Sequence, residues 1–140
     1  MKKILFAVLI LSLFAGCGKG KYSDVKEYVD DVIICMGNHS ERVVKAQTAE
    51  EIAAEIDKYG DEMFALSKKG NDLYKKYPEL SYDDEYMPKK LKKQMLRLVK
   101  ATEDLNEKVS PHLDQFMDNE AVLQANIRLL EKFNNEDSEE

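Results

Sequence analysis

Apolar side chains recur along most of the chain at alternating steps of four and three residues, which is the period of an amphipathic α-helix. The first stripe of this kind predicts helix 1 over residues 24–46, with Ser23 as its N-cap. The second predicts helix 2 between Thr48 and Tyr77, because Thr48 and Glu51 have the spacing of a capping box and a proline follows Tyr77. No stretch alternates with the period of two that a half-buried β-strand requires.

A third stripe predicts helix 3, which begins near Pro88 after a loop over residues 78–87. Its apolar positions repeat those of helix 2 at a constant offset of 39 residues, so helices 2 and 3 are expected to pair along their length as an antiparallel hairpin. Pro111 leaves two alternatives: helix 3 continues through it with a kink to about Met117, or Ser110 caps a new helix there. The kink is favoured because the apolar stripe passes through the proline in register.

Helix 4 is predicted over residues 119–134, and residues 136–140 form an acidic tail. The apolar face predicted for helix 4 carries Leu123, Ile127 and Leu130. The expected fold class is therefore all-α, an antiparallel up-and-down helical bundle of three long helices and one shorter C-terminal helix, in one domain over residues 24–135.

The first residues have the layout of an export signal. Lys2 and Lys3 precede an apolar run over residues 4–14, which is too short to span a bilayer as a helix. Small residues follow the run. This order of basic, apolar and small residues is typical of a secretory signal peptide.

The end of this run, Phe14-Ala15-Gly16-Cys17, resembles the lipobox of bacterial lipoproteins. The resemblance implies that residues 1–16 are a cleaved signal peptide and that Cys17 carries a diacylglycerol on its thiol, with a further acyl chain such as palmitate on its new amine. Residues 17–23 would then be the lipidated cysteine and a short tether.

The resemblance also bears on location and partners. In such lipoproteins an Asp after the lipidated cysteine often retains the protein in the inner membrane. Gly18 stands at this position, which favours the outer membrane, facing the periplasm, in a Gram-negative organism. The expected partners are the membrane, through the covalent lipid, and an envelope protein.

Charge and motifs narrow the function further. Without the signal segment the chain carries 19 basic and 27 acidic residues, a net charge of −8, which argues against a nucleic-acid partner. The glycine-rich phosphate loops, the zinc-protease motif and the serine-hydrolase motif are missing from the sequence. We therefore expect a non-enzymatic structural or interaction module that needs no cofactor.

One group of residues suggests an alternative function, a metal- or haem-binding bundle. Cys35, His39 and His112 lie on or beside the core stripes of helices 1 and 3, which are parallel in such a bundle, and the two histidines fall at nearly the same level. Together they could bind zinc or copper, or the two histidines could ligate a haem. The favoured interpretation is structural, with neutral buried histidines and a small apolar cysteine. With Cys17 acylated, Cys35 has no partner for an intramolecular disulfide.

The helix order resembles that of small periplasmic cytochromes with a haem inside a four-helix bundle. Their covalent members have a Cys-x-x-Cys-His motif near the end of the chain, and residues 119–140 contain neither Cys nor His. Their non-covalent members use a Met early in helix 1 and a His late in helix 4, which this sequence also lacks. No haem-binding residue is carried over.

The charges are distributed unevenly along the predicted bundle. The half nearest the tether, residues 17–30 and 66–97, carries 12 basic and 8 acidic residues, whereas residues 31–65 and 98–140 carry 7 basic and 19 acidic residues. The basic half contains a lysine cluster with two open interpretations: it faces anionic lipid headgroups, or its members only solvate exposed helix faces. The cluster comprises Lys68, Lys69, Lys75, Lys76, Lys89, Lys90, Lys92 and Lys93.

Overall fold

A computed structural model describes residues 20–80 and 87–134, which form four α-helices. The helices are α1 (Ser23–Lys45), α2 (Ala49–Lys76), α3 (Lys89–Leu113) and α4 (Glu120–Asn134). The expectation of an all-α bundle with three long helices and a shorter C-terminal one is confirmed. The predicted signal peptide, the lipidation site Cys17 and the acidic tail lie outside the described residues. Within the described part of the chain, no helix combines the length and the apolar character needed to cross a bilayer.

Helices α1 and α2 pack antiparallel. Asp24 at the start of α1 accepts a hydrogen bond from Lys76 at the end of α2, at 2.6 Å. Towards the other end of the pair, Arg42 donates to Glu55 at 2.5 Å. The two helices therefore lie side by side along most of the length of α1.

Helix α3 packs along α1, parallel to it. Arg97 donates to Asp30 at 2.7 Å, and at the far end of the same pair His112 Nε2 lies 2.8 Å from the carbonyl oxygen of Ala46. The close pairs of helices are α1 with α3, α2 with α4, and α1 with α2. The predicted hairpin of helices 2 and 3 is therefore wrong. Equal stripes show that two helices each have an apolar face, but not that those faces meet.

The two predicted helix starts that could be capped behave differently. The capping box at Thr48 is confirmed: its hydroxyl accepts from the Glu51 amide at 3.2 Å, and the Glu51 carboxylate accepts from the Thr48 amide at 3.3 Å. The predicted Ser23 cap is wrong, because Ser23 is the first helical residue. Tyr22 precedes it with φ 72°, a left-handed conformation, and its ring packs on Tyr77 at 5.1 Å. A tertiary contact, not a local cap, fixes this helix start.

Helix α3 continues through Pro111, as favoured, but ends at Leu113 and not near Met117. The following residues form turns, in which the Phe116 amide donates to the Leu113 carbonyl at 2.8 Å. The side chain of Asn119 then accepts from the Ala121 amide at 2.9 Å at the start of α4. Pro111 donates no hydrogen bond to the Glu107 carbonyl, and the helix ends two residues after it, at Leu113.

The predicted core face of helix 4 is wrong. Leu123, Ile127 and Leu130 are 40%, 44% and 64% exposed. The face that packs on the other helices carries Val122, Ala125 and Leu129.

The reason for this choice of face lies on α2. A Cβ on Gly60 would come within 2.9 Å of a Leu129 methyl, so the glycine allows close approach of α4 at that point. Arg128 forms a two-pronged ion pair with Asp57, at 3.0 and 2.7 Å, on the same side. Both contacts depend on α2, which no pattern within α4 encodes.

Helix α4 covers only part of α2. Lys132 is paired with Asp61, and Phe133 packs edge-on against Phe64 at 6.1 Å, but α2 continues for three further turns to Lys76. The main core lies in the four-helix part, around residues such as Val43, Ile52, Val109 and Val122. The remaining part has three helices and a smaller cluster around Tyr22, Val25 and Leu91. All of this packing lies within residues 20–134.

Candidate functional site

The start of α1, the end of α2 and the start of α3 meet at one end of the molecule, which we call the basic end. Lys21 is paired with Glu79 at 2.8 Å, and Tyr22 donates to the same carboxylate at 2.8 Å. Gln94 of α3 donates to the Lys26 carbonyl of α1 at 3.4 Å. The chain therefore enters the bundle at the basic end.

The charges of the described residues separate along the bundle. The basic end, residues 20–30, 66–80 and 87–97, carries eleven Lys and Arg against five Asp and Glu, a net charge of +6. The remainder, residues 31–65 and 98–134, carries seven against fifteen, a net charge of −8; we call it the acidic end.

All eight lysines of the predicted cluster are exposed at the basic end. Two of them are held by acids of α1: Lys69 pairs with Asp31 at 2.7 Å and Lys76 with Asp24 at 2.6 Å. These hydrogen bonds raise the pKa of both lysines above the usual value.

Four of the lysines open helix α3, at positions 89, 90, 92 and 93. They form no ion pair with any carboxylate of the described residues, and the first turn of α3 contains no acid. The amino end of a helix carries partial positive charge, so cations in the first turn, such as Lys89 and Lys90, are unfavourable there. Lysines three and four residues apart also repel one another. This arrangement favours an external anion.

A second polar group lies between α1 and α2, and we call it the seam. On α1 it comprises Cys35, His39 and Arg42, and on α2 Glu55, Tyr59 and Glu62. Arg42 bridges both acids, at 2.5 Å to Glu55 and 2.8 Å to Glu62. The Cys35 thiol lies 3.6 Å from Glu62, and the His39 ring stacks on Tyr59 at 4.1 Å.

Burial sets the protonation of the seam. Desolvation, with the nearby Glu62 carboxylate, raises the pKa of the Cys35 thiol to about 11. Desolvation, with the nearby Arg42 guanidinium, lowers the pKa of His39 to about 4. A neutral thiol is a poor nucleophile, so the seam has the chemistry of a structural interface.

The structure brings only two of the three predicted metal candidates into one seam. His112 packs beside the connection between α1 and α2, where its ring lies within hydrogen-bond distance of the Ala46 carbonyl and 6.0 Å from the Phe116 ring. Among the described residues, no three His, Cys, Asp or Glu side chains form a group that could hold a metal ion. The Nδ1 atom of His39 is buried and has no hydrogen-bond partner in the described structure.

Sequence reasoning missed the rest of the seam. On each helix the seam residues follow the spacing of four and three residues that marks the core stripes. The positions are 35, 39 and 42 on α1, and 55, 59 and 62 on α2. A matched polar set at this spacing on two consecutive helices was the available signal, since such positions share one helix face.

Comparison with known proteins adds no name: no protein-family model, no curated protein and no solved structure matches this chain.

Proposed function

We propose that the chain is an exported bacterial lipoprotein, acylated at Cys17, whose helical bundle is a non-enzymatic interaction module. Its basic end rests on an anionic membrane surface, and its acidic end is presented to an envelope protein. The observation that carries this proposal is the position of residues 20–22, which enter the bundle at the end whose described residues carry a net charge of +6. A lipid at Cys17 would hold that same end at the bilayer.

The free lysines of α3 supply the electrostatic argument. A Lys near an anionic membrane contributes up to about 1 kcal/mol of attraction, and salt screens it. At the amino end of α3 the same four charges are unfavourable within the protein. An anionic surface would relieve this repulsion, so the membrane-facing orientation stabilises both the complex and the helix.

The acidic end offers a surface for the partner. Leu123, Ile127 and Leu130 recur at steps of four and three on α4 and remain exposed. A row of exposed apolar side chains on one helix face is typical of a protein-binding surface. The described residues of the acidic end carry a net charge of −8 as a whole, so this surface suits a partner segment that is basic and amphipathic.

Vesicle binding tests the orientation. The chain beginning at Gly18 keeps all of the packing described above, and it should bind anionic vesicles at low salt but not neutral ones. Changing Lys89, Lys90, Lys92 and Lys93 to Gln should abolish the binding. The matched control changes Lys45, Lys58, Lys100 and Lys108, four exposed lysines of the acidic end, to Gln. This control alters the net charge equally and should bind almost as wild type does.

Equal loss of binding in both quadruple variants would show that only net charge matters and would contradict the orientation.

A second experiment tests the partner surface. In the anchored protein, Leu123, Ile127 and Leu130 are replaced by Gln. Pull-down from envelope membranes should then lose the partner, whereas Ile34→Gln with Val44→Gln, exposed on α1, should retain it. Retention by the α4 variant would reject that surface.

A further inference from the structure

Leu96 of α3 is 69% exposed, the largest exposed fraction among the large apolar side chains of the described residues. Residues three and four positions away on a helix share its face, and for Leu96 these are Lys92, Lys93, Val99 and Lys100. All four are exposed as well. An apolar side chain therefore projects from the middle of a basic helix face.

This combination does not recur at the next most exposed apolar positions of residues 20–80 and 87–134. Ile34 of α1 is 60% exposed, and its neighbours at three and four residues include Asp30 and Asp31. Leu130 of α4 is 64% exposed, and its neighbours at those positions carry no charge. Of the three, Leu96 is the one that cations surround.

The charge around Leu96 has one sign over about four helical turns. Residues 89–102 contain six Lys and Arg and no acid. Arg97 pairs with Asp30 at 2.7 Å. The other five form no ion pair with a carboxylate of the described residues. This face is complementary in charge to an anionic surface.

We infer that Leu96 inserts into the headgroup region of an anionic bilayer, with Lys92 and Lys93 on the surrounding phosphates. The bundle then tilts towards α3. Lysines beside an exposed leucine are typical of interfacial helices, because their stems lie along the apolar boundary while the ammonium groups stay at the headgroups. Lys100 lies one turn beyond Leu96, away from the tether, and marks the limit of the contact. The inference rests on the proposed membrane orientation and adds the residue that enters the lipid.

Leu96 lies close enough to the proposed anchor for this contact. Gln94, two residues earlier, donates to the carbonyl of Lys26 in the first turn of α1. Leu96 is thus at the level of the second turn of α1, roughly 8 Å from the start of that helix. The three residues from Cys17 to Gly20 span about 10 Å when extended. A bundle held at Cys17 can therefore tilt until Leu96 reaches the lipid.

The size of the apolar surface favours a bilayer over a protein partner. The large exposed apolar side chains on this face are Leu96 and Val99, and the acidic Glu103 follows one turn later. A standard protein interface buries about 800 Å² on each partner, and two aliphatic side chains supply a small part of that area. A fluid bilayer, in contrast, deforms around a single protruding side chain.

The chain contains no Trp, so a tryptophan placed at Leu96 reports its own surroundings. In the chain from Gly18, Leu96→Trp is mixed with vesicles of phosphatidylglycerol and brominated phosphatidylcholine, because bromine quenches tryptophan at short range. We expect its emission to shift to shorter wavelength and to be quenched. Ile34→Trp, at an exposed position on α1, is the matched control and should show neither change.

Binding strength gives a second measurement. Leu96→Gln should raise the lipid concentration for half binding about tenfold, because Gln lacks the apolar surface that enters the bilayer. Ile34→Gln should leave that concentration unchanged. Neither substitution alters the net charge, so the comparison isolates the apolar contribution from the electrostatic one.

The outcomes separate insertion from orientation. Binding of Leu96→Trp to the vesicles without quenching, equal quenching in both Trp variants, or an unchanged affinity of Leu96→Gln would overturn the insertion and leave the membrane orientation intact. No binding of the unsubstituted chain to anionic vesicles would reject the orientation and the insertion with it. A dimer without vesicles that Leu96→Gln dissociates would show that a second copy covers this face, and would also overturn the inference.

Discussion

His39 is buried between α1 and α2 as a neutral side chain, with one ring nitrogen that bonds no described group. The ring is desolvated, stacks on Tyr59 and lies near the Arg42 guanidinium, so the protonated form of the imidazole is unfavourable. In the unfolded chain the imidazole has its usual pKa of 6.5, whereas in the folded chain the pKa is about 4. The unfolded state therefore binds the proton first as the pH falls.

From this difference we predict an acid-sensitive stability. Above pH 6.5 the imidazole is neutral in both states, so its effect on stability is constant. As the pH falls towards 4, the free energy of unfolding should decrease by up to about 3 kcal/mol. His39→Leu should remove this part of the decrease, measured by urea unfolding at several pH values.

The matched control is His112→Gln, which keeps His39 and should retain the acid-side loss. An unchanged pH dependence in His39→Leu would show that other groups cause it.

Two glycines inside helices allow the effect of helix propensity on stability to be distinguished from the effect of packing. Gly37 on α1 has no atom near the position of a Cβ, whereas a Cβ on Gly70 of α2 would lie 2.7 Å from the Tyr28 hydroxyl. Gly37→Ala should therefore stabilise the protein by about 0.5–1 kcal/mol. Gly70→Ala should gain nothing or destabilise, because the Tyr28 ring must move. Thermal unfolding of the two variants measures the difference, and equal gains would contradict the close approach of α1 to α2 at Gly70.

At the scale of the element, the helices differ in what sets their ends. Helix α2 begins at a local capping box, in which Thr48 and Glu51 satisfy each other's amides. Helix α1 has no side-chain cap, and Tyr22 is held before it by Tyr77 and Glu79. The start of α2 is thus fixed by hydrogen bonds between neighbouring residues, and the start of α1 is fixed by contacts with the end of α2 and the residues after it.

We predict a cost for removing the capping box. Thr48→Ala should lower the free energy of unfolding by about 1 kcal/mol, because a helix-start amide loses its acceptor. The control is Thr102→Ala, an exposed site within α3 whose hydroxyl donates to the Leu98 carbonyl at 3.1 Å and lies 3.9 Å from the Met36 sulfur. It should be neutral or slightly stabilising, since Ala has the higher helix propensity. Denaturant midpoints of the two variants compare them directly, and equal losses would rule out a special role for the cap.

At the scale of the whole molecule, the length of α4 and the distribution of charge divide the bundle in two. The four-helix part holds the main core and the acidic charge, and the three-helix part holds the basic charge and an apolar groove lined by Leu73, Leu91 and Met95. Both the proposed membrane contact and the groove lie at the end where the chain enters. An anchor before residue 20 would place these two features together at the membrane.

The anchor itself gives the prediction at this scale. Cys17→Ala should either leave an uncleaved precursor or release the bundle into the soluble fraction, because no described helix is long and apolar enough to cross a bilayer. Membrane fractionation with immunodetection measures the outcome. The control Cys35→Ala removes the buried thiol of the seam and should stay anchored. Cleaved Cys17→Ala protein that remains fully in the membrane would contradict the lipoprotein proposal.

The sequence by itself determined the features that arise within single segments. The four helices follow from their apolar period, the start of α2 follows from Thr48 and Glu51, and the passage of α3 through Pro111 follows from its unbroken stripe. The alternation of helix directions also placed the lysines at one end, because short connections force neighbouring helices to reverse. These properties depend on residues a few positions apart.

Tertiary structure decided which faces meet. Helix α3 packs mainly on α1, and α4 packs Leu129 against the core and leaves Leu130 exposed. The face that α4 presents depends on Gly60 and on the ion pair between Asp57 and Arg128, which are 71 residues apart in sequence. The seam and the groove arise in the same way, from complementary surfaces of different helices. The apolar stripe of one helix indicates which side chains must be buried. The surface that buries them is determined by the partner helix.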